Sequence, residues 1–303
     1  MTTEALDAGS IRIVVTDSGL GGLSVLAELE YQLNNSHIFK NVELIFFNAL
    51  YSKNLGYNEM GSNEEKANIF NNALYSIQDN YKPDIILIAC NTLSVIYSLT
   101  RFSIQTKIKV EGIVKAGVKL FLDNLNNDKE SSIVLFGTPT TIESNLHRSL
   151  LIKNGIDEHR IINQSCPMLE SEIQDDPSSE KVINLITEFV DEASKKATHN
   201  NKKVYAGFCC THYGYSSDIF EKVLTEKFGK NVEILNPNSK MVTSLMKERS
   251  EEFNNTTLSV EVVSQVEIYE HEKFALSKIL GSNSPLTVEA IENYNLRPNL
   301  FGK

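Results

Sequence analysis

Residues 82–92 read Lys-Pro-Asp-Ile-Ile-Leu-Ile-Ala-Cys-Asn-Thr, and this stretch decides the fold class of the chain. Its apolar residues follow one another without alternation, which is typical of a strand that is covered on both faces of a sheet. Most of the other strand candidates share this pattern. We predict strands at 11–16, 42–47, 84–89, 132–136, 204–208 and 232–235.

Amphipathic segments separate these strands and are predicted to be helices, at 24–33, 64–80, 114–125 and 181–197. Strands that alternate with helices form right-handed βαβ units, which build parallel sheets. The sequence therefore predicts an α/β protein. Residues 286–294, near the C-terminus, are expected to form a surface helix.

The chain of 303 residues is long enough for about two domains. Its two halves echo each other, because in each half one strand ends in a loop of small residues and a later strand ends in a Cys that is soon followed by Thr. We therefore expect two similar α/β domains, each a mainly parallel sheet flanked by helices. A pseudo-two-fold axis would relate them and the active site would lie between them, with one domain at 10–112 plus 215–303 and the other at 113–214.

The composition argues against several function classes. A formal net charge of −10 disfavours an electrostatic grip on nucleic acid or on an anionic membrane surface. No apolar run of about 18 residues is present, so no membrane span is expected. Residues 1–10 lack the pattern of a signal peptide, which predicts a cytosolic protein. Four cysteines without a CxxC pair predict neither a disulfide scaffold nor a zinc site.

Two cysteines follow predicted strands, at the sheet edge where parallel sheets bind ligands. Cys90 precedes Asn91 and Thr92, which are natural helix N-caps, and a helix N-terminus lowers the pKa of a thiol. Cys210 lies two residues before His212, and in an extended segment such residues point the same way, so that the imidazole can exchange a proton with the thiol. A buried structural cysteine and a hydrogen-bonded structural histidine are the alternative interpretations.

Four motifs occur in order at residues 17–25 (DSGLGGLSV), 89–92 (ACNT), 137–144 (GTPTTIES) and 210–213 (CTHY). They resemble the DSGxGGLxV, ACNT, GTxxTxxS and CTHY segments of glutamate racemases. Cys166-Pro167 resembles a Cys-Pro dipeptide that this family carries between the last two motifs, and 260–281 resemble its closing strand and helix. The resemblance covers about residues 10–281.

The resemblance implies a racemase that uses no cofactor and no metal and acts on a small amino-acid substrate; such enzymes often form homodimers. Cys90 and Cys210 would be the acid/base pair that removes the Cα proton from one face and returns a proton to the other. Asp17 would assist Cys90, and His212 would assist Cys210. The substrate would be bound by Ser18, Asn91, Thr92, Thr138, Thr211 and Gly56.

The chain departs from the family pattern at three places. The loop that shapes substrate recognition usually has an acidic residue and Thr-Ala-Arg before Pro-Tyr-Gly, but here it reads Asn48-Ala49-Leu50-Tyr51 and, after an extra residue, Leu55-Gly56. Gln174 occupies a position where Glu is common. Cys209 and Gly214 flank the second catalytic motif in place of Gly and Pro. We therefore expect a retuned pocket for glutamate or for a related acidic or amide amino acid.

Two other functions are compatible with these residues. A cysteine hydrolase that uses Cys210 with His212 would form a thioester and would have no need for Cys90. An amino-acid-binding protein that keeps the fold without turnover is the second alternative, and the altered loop is the reason to consider it. Exchange of the substrate's Cα proton with solvent distinguishes a racemase from both.

Overall fold

The computed structural model describes residues 9–197, 202–246 and 253–302. Residues 1–8, which carry most of the segment tested for a signal peptide, lie outside this part. The strands are β1 (Ser10–Asp17), β2 (Asn41–Asn48), β3 (Ile85–Ile88), β4 (Lys109–Gly112), β5 (Ser132–Gly137), β6 (Ile161–Ser165), β7 (Val204–Cys209), β8 (Val232–Leu235), β9 (Thr257–Ser264) and β10 (Asn295–Leu296).

The helices connect these strands in chain order. They are α1 (Leu23–Ser36), α2 (Asn63–Tyr81), α3 (Asn91–Ile96), α4 (Phe102–Gln105), α5 (Ile113–Asn127), α6 (Pro139–Glu143), α7 (Leu146–Lys153), α8 (Leu169–Asp175), α9 (Glu180–Lys196), α10 (Ser217–Phe228), α11 (Asn238–Met246), α12 (Glu270–Leu280) and α13 (Pro285–Glu292). Within the described ranges, no helix combines the length and the apolar character that crossing a bilayer requires.

The chain divides into two compact units. The first consists of Met1–Ala89, Ile96–Glu111 and Val242–Lys303, and the second of Cys90–Val95 and Gly112–Met241. One six-stranded sheet has the order β10-β9-β2-β1-β3-β4, and one four-stranded sheet has the order β6-β5-β7-β8. The predicted α/β class, with two mainly parallel sheets flanked by helices, is confirmed.

The six-stranded sheet brings three strand ends together in the first unit. β1 pairs in parallel with β2 along its whole length, which places Asp17 beside Asn48. β2 pairs in the same way with β9, which places Asn48 beside Ser264. The carboxyl edge of this sheet therefore presents a row of three polar side chains, at the edge where parallel sheets bind ligands.

The four-stranded sheet of the second unit is covered by helices on both faces. Apolar side chains of α8, α9 and α10 pack on one face, and those of α5 and α7 pack on the other. Its central strand β7 is buried at every position, which explains the unbroken apolar run that predicted it. Parallel pairing sets Gly137, at the end of β5, beside both Ser165 of β6 and Cys209 of β7.

The short strands β4, β6 and β10 were not predicted. Each is short and contains polar residues, with the sequences KVEG, IINQS and NL. Such segments have no apolar run long enough to show a strand period. They become strands because a neighbouring strand offers a row of free backbone groups.

The expected C-terminal surface helix is present as α13, but one side of it is buried. Thr287, Ala290 and Ile291 face the interior. The carboxylate of Glu30, itself buried, accepts hydrogen bonds from the backbone N–H groups of Leu286 (2.9 Å) and Thr287 (2.7 Å). These are first-turn amides that lack partners within the helix, so Glu30 fixes the start of α13 to the first unit.

His147 of α7 is a buried titratable group outside the four motifs. Its ring lies 6.4 Å from that of Phe121, and among the described residues no group forms a hydrogen bond with its Nε2. Burial lowers the pKa of His147 from 6.5 to about 4. The folded protein therefore binds a proton there less readily than the unfolded chain does.

We expect His147 to make stability fall as the pH is lowered. The pKa is lower in the folded state, so the full stability is present above pH 6.5 and is lost progressively towards pH 4, by about 3 kcal/mol at most. His147→Leu should flatten urea-derived unfolding free energies across this range, whereas His159→Leu, at an exposed histidine, should not. Equal pH slopes in the two variants would contradict this expectation.

Candidate functional site

Cys90 caps the first turn of α3. Its sulfur accepts a hydrogen bond from the backbone N–H of Leu93 at 3.4 Å, and its carbonyl accepts one from Ser94 at 3.0 Å. An N–H group directed at sulfur stabilises a thiolate more than a thiol. Cys90 is 6% exposed, whereas Cys166 and Cys209 are fully buried.

Three threonine hydroxyls form a cluster beside this turn. The Oγ1 atom of Thr92 lies 2.8 Å from that of Thr138 and 3.3 Å from that of Thr141, and the last two are 3.0 Å apart. Thr138 also caps α6 by accepting a hydrogen bond from the Thr141 backbone. Thr141 was not among the predicted site residues, although its spacing of three from Thr138 on a helix start was a usable signal.

The side-chain amide of Asn91 is buried without a hydrogen-bond partner among the described residues, at both its nitrogen and its oxygen. A buried amide in this condition carries the desolvation cost of two polar atoms. Asn91 lies between Cys90 and the threonine cluster in sequence. Its two N–H donors and its carbonyl oxygen are therefore all left for hydrogen bonds that the described residues do not supply.

Cys210 and His212 lie together at the end of β7. The Cys210 sulfur is 3.7 Å from Nδ1 of His212, and Nε2 of His212 is 3.2 Å from Oε1 of Gln174 on α8. Cys210 and His212 lie close together as predicted, but the predicted reason, an extended segment through both residues, is wrong. Cys210 is extended, whereas residues 211–216 form a 3₁₀ helix, and its tight turn brings the imidazole back to the thiol.

Gln174 sets the hydrogen-bonding state of this pair. An amide oxygen only accepts, so Nε2 of His212 carries the proton and Nδ1 presents a lone pair towards the Cys210 sulfur. Burial lowers the pKa of His212 to about 4, so the ring is neutral near pH 7. The imidazole can then accept a proton from the thiol or return one to the sulfur.

The two cysteine segments converge on neighbouring strand ends of the second unit. Thr138 follows β5 and Cys210 follows β7, directly after the paired residues Gly137 and Cys209. Neighbouring strands are about 4.8 Å apart. Since Thr92 is hydrogen-bonded to Thr138, the Cys90 turn is anchored at the edge from which Cys210 projects.

The other two cysteines, Cys166 and Cys209, are fully buried. Burial raises the pKa of the Cys166 and Cys209 thiols well above their ordinary value, which disfavours a thiolate at either. Cys209 packs in the apolar layer beneath α5. At Gly214, an added Cβ would lie 2.7 Å from the side-chain nitrogen of Asn236, so a larger residue there would require this side chain to shift.

Asp17, Ser18 and Gly56 belong to the first unit. Asp17 ends β1 and is fully buried. A Cβ at Gly22 would lie 2.8 Å from the Oδ2 atom of Asp17, so this glycine makes room for the carboxylate.

Gly56 follows a tight turn in which Ser52 pairs with Leu55, and the carbonyl of Gly56 accepts a hydrogen bond from the N–H of Glu59. Thr211, by contrast, belongs to the second unit, where it is buried beside Cys210.

No protein-family model matches the chain. It is 30% identical over 244 residues to a glutamate racemase of Clostridium perfringens, covering 78% of this chain and 82% of the relative. A glutamate racemase of Persephonella marina is 27% identical, covering 70% and 74%.

The fold is shared with a solved structure of glutamate racemase from Francisella tularensis in complex with D-glutamate. The TM-score is 0.67 at 22% identity, with 90% of this chain and 94% of that chain covered. Together with the sequence relatives, this likeness confirms the resemblance that the four motifs indicated.

Proposed function

This chain belongs to the glutamate racemase family, and we propose that it interconverts L- and D-glutamate by moving protons between the substrate Cα and two thiols, Cys90 and Cys210. The family membership supports the reaction and the substrate. The anchoring of the Cys90 turn to the strand end beside Cys210, through the 2.8 Å contact of Thr92 with Thr138, is the observation that supports the two thiols.

The reaction needs one thiolate and one thiol at the start. The thiolate takes the Cα proton, and the electron pair left on carbon makes a carbanion-like state. The other thiol then gives its proton to the opposite face, so that the two sulfurs have exchanged protonation states. The Leu93 N–H group favours a thiolate at Cys90, and the neutral imidazole of His212 accepts and returns the proton of Cys210.

Charge that develops on the substrate has to be stabilised by groups that are already oriented. The hydroxyls of Thr92 and Thr138 are held by their mutual contact before the substrate arrives, and the amide of Asn91 is buried with its hydrogen-bonding groups unused. Such groups need no reorganisation as charge shifts from Cα into the carboxylate. We assign them to the substrate carboxylate and ammonium, together with Thr211.

The assignment of Asp17, Ser18 and Gly56 to the same reaction stays a prediction that rests on the DSGxGGLxV motif and on the recognition loop. So does a homodimer, for which analytical ultracentrifugation is the test. A cytosolic location is supported by the chemistry, since four free thiols, two of them needed for turnover, are kept reduced there.

A chiral assay in deuterium oxide tests the proposed function. With L- or D-glutamate as the starting enantiomer, we expect the product enantiomer to carry deuterium at Cα, because its proton comes from a thiol that exchanges with solvent. A panel of the other common amino acids establishes how far the altered loop has changed the substrate. Binding of glutamate without Cα exchange would instead identify a non-catalytic relative, and a thioester would identify a hydrolase.

A further inference from the structure

The recognition loop, residues 48–56, is attached at three points to one segment of the first unit. The Asn48 side chain donates to Oγ of Ser264 at 3.0 Å. The carbonyl of Tyr51 accepts from Nε2 of Gln265 at 2.6 Å. These two partners are consecutive residues at the end of β9.

The third attachment is made by Lys53. Its Nζ lies 3.1 Å from the buried carboxylate of Glu272 on α12 and 3.9 Å from the centre of the Tyr269 ring. The same carboxylate accepts the Tyr269 N–H at 2.7 Å. The outer part of the loop is therefore held by an ion pair whose acidic partner is desolvated and fixed in place.

The C-terminal tail, residues 295–302, forms hydrogen bonds with the same two residues, Ser264 at the end of β9 and Gln265 directly after it. The Arg297 N–H donates to the carbonyl of Ser264 at 2.8 Å, and the Phe301 N–H donates to Oε1 of Gln265 at 3.3 Å. The ring of Phe301 is 6% exposed and packs 5.7 Å from that of Phe47, the residue directly before the loop. Both ends of the Gln265 amide are thus occupied, one by the loop and the other by the tail.

The tail and the loop otherwise face each other across an open pocket of about 440 Å³, lined by Tyr51, Lys53, Gln265, Pro298, Asn299 and Gly302. A loop that borders an open pocket has few packing contacts to fix it on that side. Its position there depends on hydrogen bonds, and the Gln265 amide supplies one.

We propose that the C-terminal tail positions the recognition loop through Gln265, so that Phe301 and Gln265 are positioning residues for substrate recognition. This inference rests on the proposed function for the loop's role with substrate. The amide is oriented by its acceptor contact with the tail, and this orientation aims its donor at the Tyr51 carbonyl. The tail thereby contributes to the substrate KM and specificity without touching substrate.

Amide hydrogen exchange, measured on the whole protein, tests whether the tail holds the loop in position. Phe301→Ala and Gln265→Ala should each speed amide exchange in 48–56, while Phe274→Ala, the same change at a 73% exposed phenylalanine of the same unit, should not. Gln265→Glu keeps the acceptor for the Phe301 N–H and removes the donor to Tyr51, so it should free the loop and leave exchange in the tail unchanged. Phe301→Leu keeps an apolar side chain at this position. It serves as the variant to measure if Phe301→Ala simply unfolds the protein.

Steady-state kinetics test whether the tail contributes to the substrate KM and specificity. Loss of one hydrogen bond predicts a KM for glutamate raised about threefold to tenfold in Gln265→Glu, with kcat nearly unchanged. Unchanged loop exchange in both Gln265 variants would overturn the proposal. Faster loop exchange with an unaltered KM and unaltered substrate panel would also overturn it. If the wild-type protein turns over no amino acid, the proposed function fails, and hydrogen exchange still decides whether the tail holds the loop.

Discussion

Replacing Cys210 by Ala, or Cys90 by Ala, is expected to abolish racemisation, with kcat for glutamate falling by about 10²- to 10⁴-fold or below detection. A single thiol cannot reach both faces of the substrate carbon. Each variant should still exchange the Cα proton of one enantiomer with deuterium, because the remaining thiol can remove and return a proton on its own face. Chiral chromatography with mass detection measures inversion and exchange in the same samples.

Cys209→Ala is the matched control for this result. Cys209 adjoins Cys210, but its side chain packs in the apolar core, and burial disfavours its thiolate. We expect kcat within a few-fold of the wild type. A Cys90→Ala or Cys210→Ala enzyme that inverts both enantiomers at the wild-type rate would rule out the two-thiol reaction.

Replacing His212 by Asn is expected to have the second largest effect, lowering kcat/KM for glutamate by about 10²-fold or more. Asn is too short to bridge the Cys210 sulfur and Gln174, so the thiol loses the group that accepts and returns its proton. L- and D-glutamate have equal free energy, so kcat/KM must fall equally in both directions. Progress curves started from each enantiomer measure this. A loss of less than about threefold would assign His212 a structural role.

Gln174→Glu separates the electrostatic part of this arrangement from its geometry. A carboxylate at 3.2 Å from Nε2 would stabilise an imidazolium, which raises the pKa of His212 from about 4 towards its ordinary value. The acid limb of the kcat/KM profile should therefore move to higher pH. Gln105→Glu, at an exposed position of α4 in the first unit, is the control and should leave the profile unchanged.

The fold class and the thiol candidates were accessible from the sequence because both depend on local patterns. An unbroken apolar run such as 85–89 predicts a strand buried on both faces, whatever surrounds it. Cys90 and Cys210 stand directly after such runs, and parallel strands place their carboxyl ends where ligands bind. The neighbouring His212 was also visible, although a 3₁₀ turn rather than an extended segment directs its ring.

The contacts between these candidate residues and their partners were decided by tertiary structure. Thr141 joins Thr92 across 49 positions of sequence, and Gln174 meets His212 across 38, because strand register and helix packing bring them together. Tyr51 and Gln265 are 214 positions apart, and no local pattern links them. A side chain's type and its immediate neighbours are written in the sequence. The partner that fixes its protonation state or its orientation comes from whichever distant segment the folded sheet places beside it.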